Sequence, residues 1–438
     1  MIPISPTAPP PNIVFVLIDD MGYADLSCYG NKAAKTENID RLAREGVRFT
    51  QFYASAPICS PSRTGLLTGQ YPQRWRISSF LETRAANTKR GMAQWLDVKA
   101  PSVARELQKA GYATGHFGKW HLGGQRDVGD APLITEYGFD ASLTQFEGLG
   151  DRILPLLDAY DGTPAKKYAL GSDLLGRGNI TWMERAKITS AFARRAQEFM
   201  KEAQAKGKPF FVNIWPDDVH SPFFPPKAMR GDSSKKTLYN AVVQGMDEQL
   251  GPLLTYLRTV PNTIVIVASD NGPEPGAGSA GPFRGHKGNL YEGGFREPLI
   301  VWGPGLVKPG VLNEKTAITS VDFFPSLLKL ASVALPKEFT ADGEDLSAAL
   351  LGKQQLLRRR PIFWKRPPDR PGPSETDRWP DLAMREGDWK LLCMTDGSVA
   401  QLYDLKSDPG EAKNLASEQP ERVQQLTAKL LGWNKTLP

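Results

Sequence analysis

Asn12-Ile13-Val14-Phe15-Val16-Leu17-Ile18 runs apolar almost without a break and ends in Asp19-Asp20. A strand with one wet face alternates apolar and polar residues. This run does not alternate, and its β-branched residues favour extended backbone, so it is predicted as a strand buried on both faces of a mostly parallel sheet. Phe210-Phe211-Val212-Asn213-Ile214-Trp215 reads the same way and leads into Asp217-Asp218-Val219-His220. Thr263 to Ser269 is the clearest strand and ends in Asp270-Asn271-Gly272, and Leu299-Ile300-Val301-Trp302 supplies another.

Helical patterns fall between these strands. Thr36 to Glu45 closes on Gly46 and Ser102 to Ala110 on Gly111. Thr181 to Ala205 reads as helical throughout, and Lys236 to Arg258 as a long helix with Val243, Met246, Leu250 and Leu257 inward and a kink expected at Pro252. Asp322 is placed to cap a helix from Phe323 to Ala331. The alternation predicts an α/β fold: a large, mostly parallel central sheet flanked by helices. Gly123 to Gly178 lacks periodicity and reads as surface loops. From about Leu335, Pro-rich loops separate short strands, Ile362-Phe363-Trp364, Trp389 to Leu392 and Gln401-Leu402-Tyr403, before a last helix from Pro420 to Trp433. The expected organisation is an extended lead-in at 1–11, a catalytic domain at 12–334, and a C-terminal subdomain with a small antiparallel sheet at 335–438.

The chain has 438 residues, 40% hydrophobic and 23% charged, with a net charge of +6: ordinary globular values and enough length for a large core. No Lys/Arg run with interleaved aromatics marks a nucleic-acid face, and Arg358-Arg359-Arg360 is expected to be a solvated turn. Cys28, Cys59 and Cys393 form neither a disulfide framework nor a zinc spacing. No apolar run reaches membrane-spanning length, and the first residues lack signal-peptide features. The expectation is a mature segment of a periplasmic or secreted protein whose export signal has been removed.

Cys59-Ser60-Pro61-Ser62-Arg63-Thr64-Gly65-Leu66-Leu67-Thr68-Gly69 carries the chemistry. A cysteine before a helix-opening proline faces free backbone N–H groups, which together with Arg63 predicts a lowered thiol pKa. Asp19-Asp20 and Asp270-Asn271, each at a strand's carboxyl end, bring together three carboxylates and an amide, a hard oxygen set suited to Ca²⁺ or Mg²⁺. Lys119 and His121, in Gly118-Lys119-Trp120-His121-Leu122-Gly123, alternate along an extended segment and so face one side. An ammonium there can hold an anion while an imidazole moves a proton.

The Cys59 run resembles the Cys-x-Pro-x-Arg signature of the type I sulfatases, whose fold is alkaline-phosphatase-like, and the match is complete over its eleven residues. The Gly118–Gly123 run is identical to that family's motif, His220-Ser221-Pro222 fits its His-x-Pro, and Arg284-Gly285-His286-Lys287-Gly288 with Tyr291 to Pro298 is close to its pattern. Leu402 to Leu415 is similar to its C-terminal subdomain. The resemblance implies that Cys59 is oxidised to formylglycine by a formylglycine-generating enzyme. One hydroxyl of the hydrate would attack sulfur and expel the alcohol; deprotonation of the other would re-form the aldehyde and eject sulfate. It further implies Arg63, Lys119, His121, His220 and Lys287 as catalytic residues, with His220 toward the leaving alcohol and Lys287 on the sulfate. Asp19, Asp20, Cys59 (as formylglycine), Asp270 and Asn271 would be the ligands of Ca²⁺, with Mg²⁺ as the other possible ion. His116 is read as structural, and His286 faces either solvent or substrate.

The expected substrate is a sulfated glycan or a small sulfate ester. Trp75, Trp95, Trp364 and Trp379 in predicted loops would stack on sugars, and Trp215 to Phe223 is similar to carbohydrate sulfatases related to N-acetylgalactosamine-6-sulfatases. The alternatives are a phosphonate or phosphate ester hydrolase of the same superfamily, an aryl sulfatase acting on small esters, and a glycan-binding pseudoenzyme. The last requires a lost motif residue, and none is lost.

Overall fold

The computed structural model describes residues 9–158, 162–370, 372 and 378–438. Most of the lead-in expected at 1–11, residues 1–8, lies outside that set. Pro9 and Pro10 are tied down by the Asn262 side-chain amide, which donates to both carbonyls at 3.0 Å.

Nine strands form the central sheet, in the spatial order Val311–Asn313, Val47–Tyr53, Arg296–Trp302, Thr263–Ser269, Asn12–Ile18, Phe210–Trp215, Ala113–Gly118 and Ala141–Leu143, with Ile318–Thr319 also beside Val47–Tyr53. Asn12–Ile18 is parallel to both its neighbours, and so are Phe210–Trp215 and Ala113–Gly118 to theirs. Only Arg296–Trp302 runs against its partners. The first strand is covered on both faces, as its sequence requires. Val14, Val16 and Ile18 enter one core with Phe192, Met200, Val243, Met246 and Leu250, while Ile13, Phe15 and Leu17 enter the other with Leu66, Leu67, Leu107, Phe323 and Leu327. Four adjacent parallel strands therefore end at one edge of the sheet, releasing Asp19-Asp20, Asp217 to His220, Asp270-Asn271 and Lys119 to His121 side by side.

The small antiparallel sheet is present as Ile362–Lys365, Leu382–Glu386, Trp389–Cys393 and Gln401–Asp404. One face packs on the closing helix Pro420–Asn434 through Leu426, Leu430 and Trp433; the other shares a core with Tyr53, Tyr291 and Phe295. Trp364, expected near substrate, is instead fully buried and stacks on Phe295 with ring centres 4.2 Å apart.

Other expectations also fail. Gly123 to Gly178 is not all loop: it holds the edge strand Ala141–Leu143 and, with Ile180–Glu184, a three-stranded sheet around Arg152–Leu157. Thr181 to Glu184 is accordingly strand, and the helix begins at Ile188, because the Thr181-Trp182 pair finds a ladder partner in Ile153-Leu154. The helix Lys235–Leu257 runs through Pro252 without a break, where buried Leu250, Leu253 and Leu254 hold the turn that loses a hydrogen bond. Asp322 does not cap through its side chain. Its carboxylate accepts the Thr319 and Glu344 N–H groups at 2.7 Å each and pairs with Arg358, whose side chain is thereby withdrawn from solvent while Arg359 and Arg360 stay exposed as expected.

Candidate active site

The Cys59 run folds as a helix, Cys59–Thr68, every residue of which is buried. Ile58 enters extended, Cys59 occupies the first helical position, and Gly69 ends the helix at φ 67°, a left-handed conformation natural to glycine. Arg63 projects from the first turn with no exposure. It donates through Nε to Asp270 Oδ2 (2.9 Å), through Nη2 to Asp19 Oδ1 (3.1 Å) and through Nη1 to the Lys119 carbonyl (3.0 Å). One guanidinium thus joins three strand ends as far apart along the chain as Asp19 and Asp270.

Asp19, Asp20 and Asp270 present carboxylate oxygens all within 4.8 Å of one another. Asn271 donates through Nδ2 to Asp20 Oδ1 at 2.8 Å, while its Oδ1 is buried with no donor among the described residues. Burial pushes the Asp270 carboxyl well up, and the neighbouring Asp19 adds to this against the pull of Arg63. Asp19 is held well below the usual carboxylate range: burial opposes this, but Lys119 and Arg63 outweigh it. A hard cation fits this set: it would relieve the crowding of Asp270 and give the orphaned amide oxygen a partner.

Around this centre the predicted cations converge. Lys119 Nζ lies 2.7 Å from Asp19 Oδ2, and Lys287 Nζ 2.6 Å from Asp20 Oδ2. Lys119 and His121 do share a side, but not through simple alternation. His121 sits at φ 58°, and both Lys119 Nζ and His121 Nδ1 reach Glu147 Oε2 at 3.2 Å. Glu147 went unnoticed in the sequence. It belongs to a loop without periodicity, and nothing local marks it. Burial raises its pKa, yet His121 and Lys119 carry it down to about 2, and at neutral pH it is the Lys119 ammonium that keeps it ionised.

His121 Nε2–H donates to the Leu81 carbonyl at 2.9 Å, leaving the Nδ1 lone pair 3.2 Å from Cys59 Sγ. Leu81 is itself held by its N–H on Ser60 Oγ at 2.9 Å, so the nucleophile's own helix sets the tautomer of the imidazole. Burial lowers His121 to about 4, making it a neutral proton acceptor at pH 7. The same burial contradicts the thiol prediction. Cys59 is pushed up, more than Lys119 and Lys287 pull it down, so desolvation outweighs the helix terminus and the thiol is not poised as a thiolate. His220 donates from Nδ1 to the Ser221 carbonyl at 2.7 Å and turns Nε2 toward Asp20 Oδ2 at 3.7 Å; burial, then Lys119, lowers its pKa. His116 is buried among Trp120, Phe139 and Trp215 and lowered to about 3, away from the cluster. His286 lies half-buried, its Nδ1 on the Lys287 carbonyl at 2.9 Å.

A small side chain at a helix start, two lysines, two neutral imidazoles and a crowded acidic set at the carboxyl edge of an α/β sheet make up the apparatus of a hydrolase for anionic esters. The chain belongs to the sulfatase family. The Sulfatase family model matches residues 11–333, and that for the C-terminal part of N-sulphoglucosamine sulphohydrolase matches 283–435. The N-acetylgalactosamine-6-sulfatase of Canis lupus familiaris is 35% identical over 371 residues, covering 82% of this chain and 69% of that one. Arylsulfatase A of Homo sapiens is 32% identical over 462 residues, 96% of this chain and 87% of its own. A solved structure described under the metabolism of multiple glycosaminoglycans by Bacteroides thetaiotaomicron superposes with TM-score 0.77 at 28% identity, covering 98% of this chain and all of the other. The protein is thus a sulfatase, a hydrolase of sulfate esters, with the alkaline-phosphatase-like fold.

Proposed function

We propose that the protein removes sulfate from a sulfated carbohydrate, using formylglycine made from Cys59 and a divalent cation, Ca²⁺ or Mg²⁺, held by Asp19, Asp20, Asp270 and Asn271. The observation that carries this reading is the meeting of Cys59 Sγ with His121 Nδ1 at 3.2 Å, beside an acidic cluster whose Asn271 Oδ1 has no donor. Sγ stands where the formylglycine oxygens would be. Formylglycine supplies a hydroxyl nucleophile and a second hydroxyl for sulfate release; the cation supplies positive charge at the sulfate oxygens.

The chain's own groups do the rest. Lys119 and Lys287 hold the sulfate by charge-assisted hydrogen bonds, and Arg63 fixes two metal ligands in place. His121 Nδ1, its lone pair set by the Leu81 carbonyl, takes a proton from the side chain at position 59. His220, whose Nε2 lies 3.7 Å from Asp20 Oδ2, is assigned to the leaving alcohol. Glu147 holds Lys119 through their ion pair.

We assign catalysis to residues 12–334 and take 335–438 as a subdomain bordering the site. We take maturation to need a formylglycine-generating enzyme and the protein to act in the periplasm or outside the cell; among the described residues no helix is long and apolar enough to cross a membrane. The carbohydrate reading draws on the glycan sulfatases among its relatives. It is tested by measuring sulfate released from a panel of sulfated glycans, with protein whose Cys59 peptide is shown by mass to be modified. Turnover confined to simple aryl sulfates refutes the sugar reading, and faster turnover of an aryl phosphate than of the matching sulfate refutes the ester assignment.

A further inference from the structure

Two side chains that the chemistry above does not use, Arg370 and Trp379, contact residues next to the site. Gly288 follows Lys287 and lies so close to Arg370 that a Cβ there would stand 3.3 Å from Arg370 Cδ. The Arg370 guanidinium is 5.6 Å from the centre of the Phe80 ring, and Phe80 precedes Leu81, the partner of His121. Arg370 therefore lies between Gly288, the neighbour of Lys287, and Phe80, the neighbour of the Leu81 that holds His121. It is not consumed there. Asp369, 3.5 Å from Arg370 Nη1, is already engaged by Arg90 at 2.8 Å and by Ser79 Oγ at 2.8 Å. Of the five N–H groups of Arg370, only one on Nη1 meets an acceptor among the described residues, the Asp369 carbonyl at 3.1 Å, and the side chain stays 37% exposed. Arg63, Arg296 and Arg366, by contrast, are buried on carboxylates. Beyond Lys287, half-buried Trp379 meets the His286 ring edge-on, with centres 6.0 Å apart.

We infer that Arg370 and Trp379 form a subsite for a second acidic group on the glycan, a carboxylate or another sulfate, with the sugar that carries it lying against the indole. This rests on the carbohydrate reading of the site. A guanidinium with unused donors beside an aromatic face suits an anionic sugar, and the ester sulfate already has Lys119 and Lys287.

The test compares wild type with Arg370→Gln and Arg370→Lys, all made with the maturing enzyme. The substrates are an aryl sulfate, a monosulfated neutral disaccharide, a monosulfated disaccharide containing a uronate, and a disulfated disaccharide. For Arg370→Gln the ratio of kcat/KM on acidic disaccharides to that on the aryl ester falls by about tenfold or more, mainly through KM, and the salt dependence of kcat/KM on acidic substrates flattens. Arg370→Lys recovers part of the loss. A larger fall on the uronate marks the group as a carboxylate; a larger fall on the disulfated sugar marks it as sulfate. Proportionate change on all four substrates, or none, overturns the subsite while leaving the carbohydrate reading intact. A wild type that cleaves only the aryl ester overturns both.

Discussion

Two buried clusters of charge lie at the centre of this chain, and they are finished differently. In the first, four carboxylates (Asp19, Asp20, Asp270, Glu147) face three cations (Arg63, Lys119, Lys287), and the Asn271 amide oxygen has no donor. In the second, Glu292 accepts from Tyr53 Oη at 2.8 Å, Lys390 Nζ at 3.0 Å and Arg296 Nη1 at 3.2 Å, and its own N–H donates to Glu411 Oε2 at 2.6 Å. Lys390 also reaches Glu411 at 2.7 Å, and Arg385 closes the ring on Tyr53. In the second cluster each carboxylate oxygen faces a donor or a cation of the chain, Glu411 Oε1 through its ion pair with Lys390 alone; in the first, the Asn271 amide oxygen faces neither among the described residues. Burial of charge alone does not mark a site, whereas unmatched capacity at a sheet's carboxyl edge does.

The two are also mechanically joined. Glu292 opens the turn Glu292–Gly294, whose Gly294 carbonyl accepts the Gly272 N–H at 2.9 Å, next to Asn271. A Cβ on Gly294 would come within 2.0 Å of the Asn289 carbonyl, so only glycine lets this turn press against the loop that carries Lys287. Lys390 and Glu411, from the C-terminal part, thus brace a wall of the site without touching its reactive atoms.

Perturbing each cluster in turn separates their roles. The largest effect is expected at Cys59: Cys59→Ala loses at least about 10⁴-fold in kcat, keeps its metal and keeps its fold. Turnover, elemental analysis and thermal melting on one batch of protein check this, and full activity in wild type with an unmodified thiol would leave the formylglycine route without support. Removal of metal comes next. Chelation abolishes turnover and lowers the melting temperature, since an ion bound only by the folded state stabilises it, and Ca²⁺ or Mg²⁺ restores both better than Zn²⁺ does. Activity persisting in excess chelator with no metal in the protein would show that the first cluster is balanced without an ion.

Lys390→Met reverses the pattern. Leaving Glu292 and Glu411 without their shared ammonium costs about 3–5 kcal/mol in stability by chemical denaturation, while the folded variant still binds metal. Loss of metal with unchanged stability would invert the assignment of the two clusters. The smallest effect concerns pH. Burial pushes Glu411 from 4.5 up to about 7, with Glu292 adding to it and Lys390 opposing. The folded state then binds this proton more tightly than the unfolded chain, so the associated stability is present below about pH 4.5 and is lost as pH rises through 7. Glu411→Gln removes that decline, which denaturation at pH 5 and pH 8 detects; identical pH profiles for variant and wild type would rule it out.

Much of the architecture could be read directly. The unbroken apolar runs at Asn12 and Thr263 required cover on both faces, and each ends where the acidic groups gather. Lys119, His121, His220 and Lys287 were recognisable because their motifs are contiguous. Glu147 was not, since its only distinction is its contact with two side chains from another loop. Ile180–Glu184 was misread because helix and strand compete closely there and a partner strand decided.

What the sequence by itself determined is whatever depends on neighbours along the chain: a parallel sheet from two-sided hydrophobicity, oxygen donors at strand ends, a helix opening just after Cys59. Only the tertiary structure decided the electrostatics. Arg63 joins Asp19 to Asp270, Arg358 finds Asp322, and the Cys59 thiol is raised where its local setting pointed down. The reason is that desolvation and Coulomb forces act through space. Their sign at any group is set by how much water the whole fold excludes and by which distant charges are brought near, and neither is a property of the local sequence.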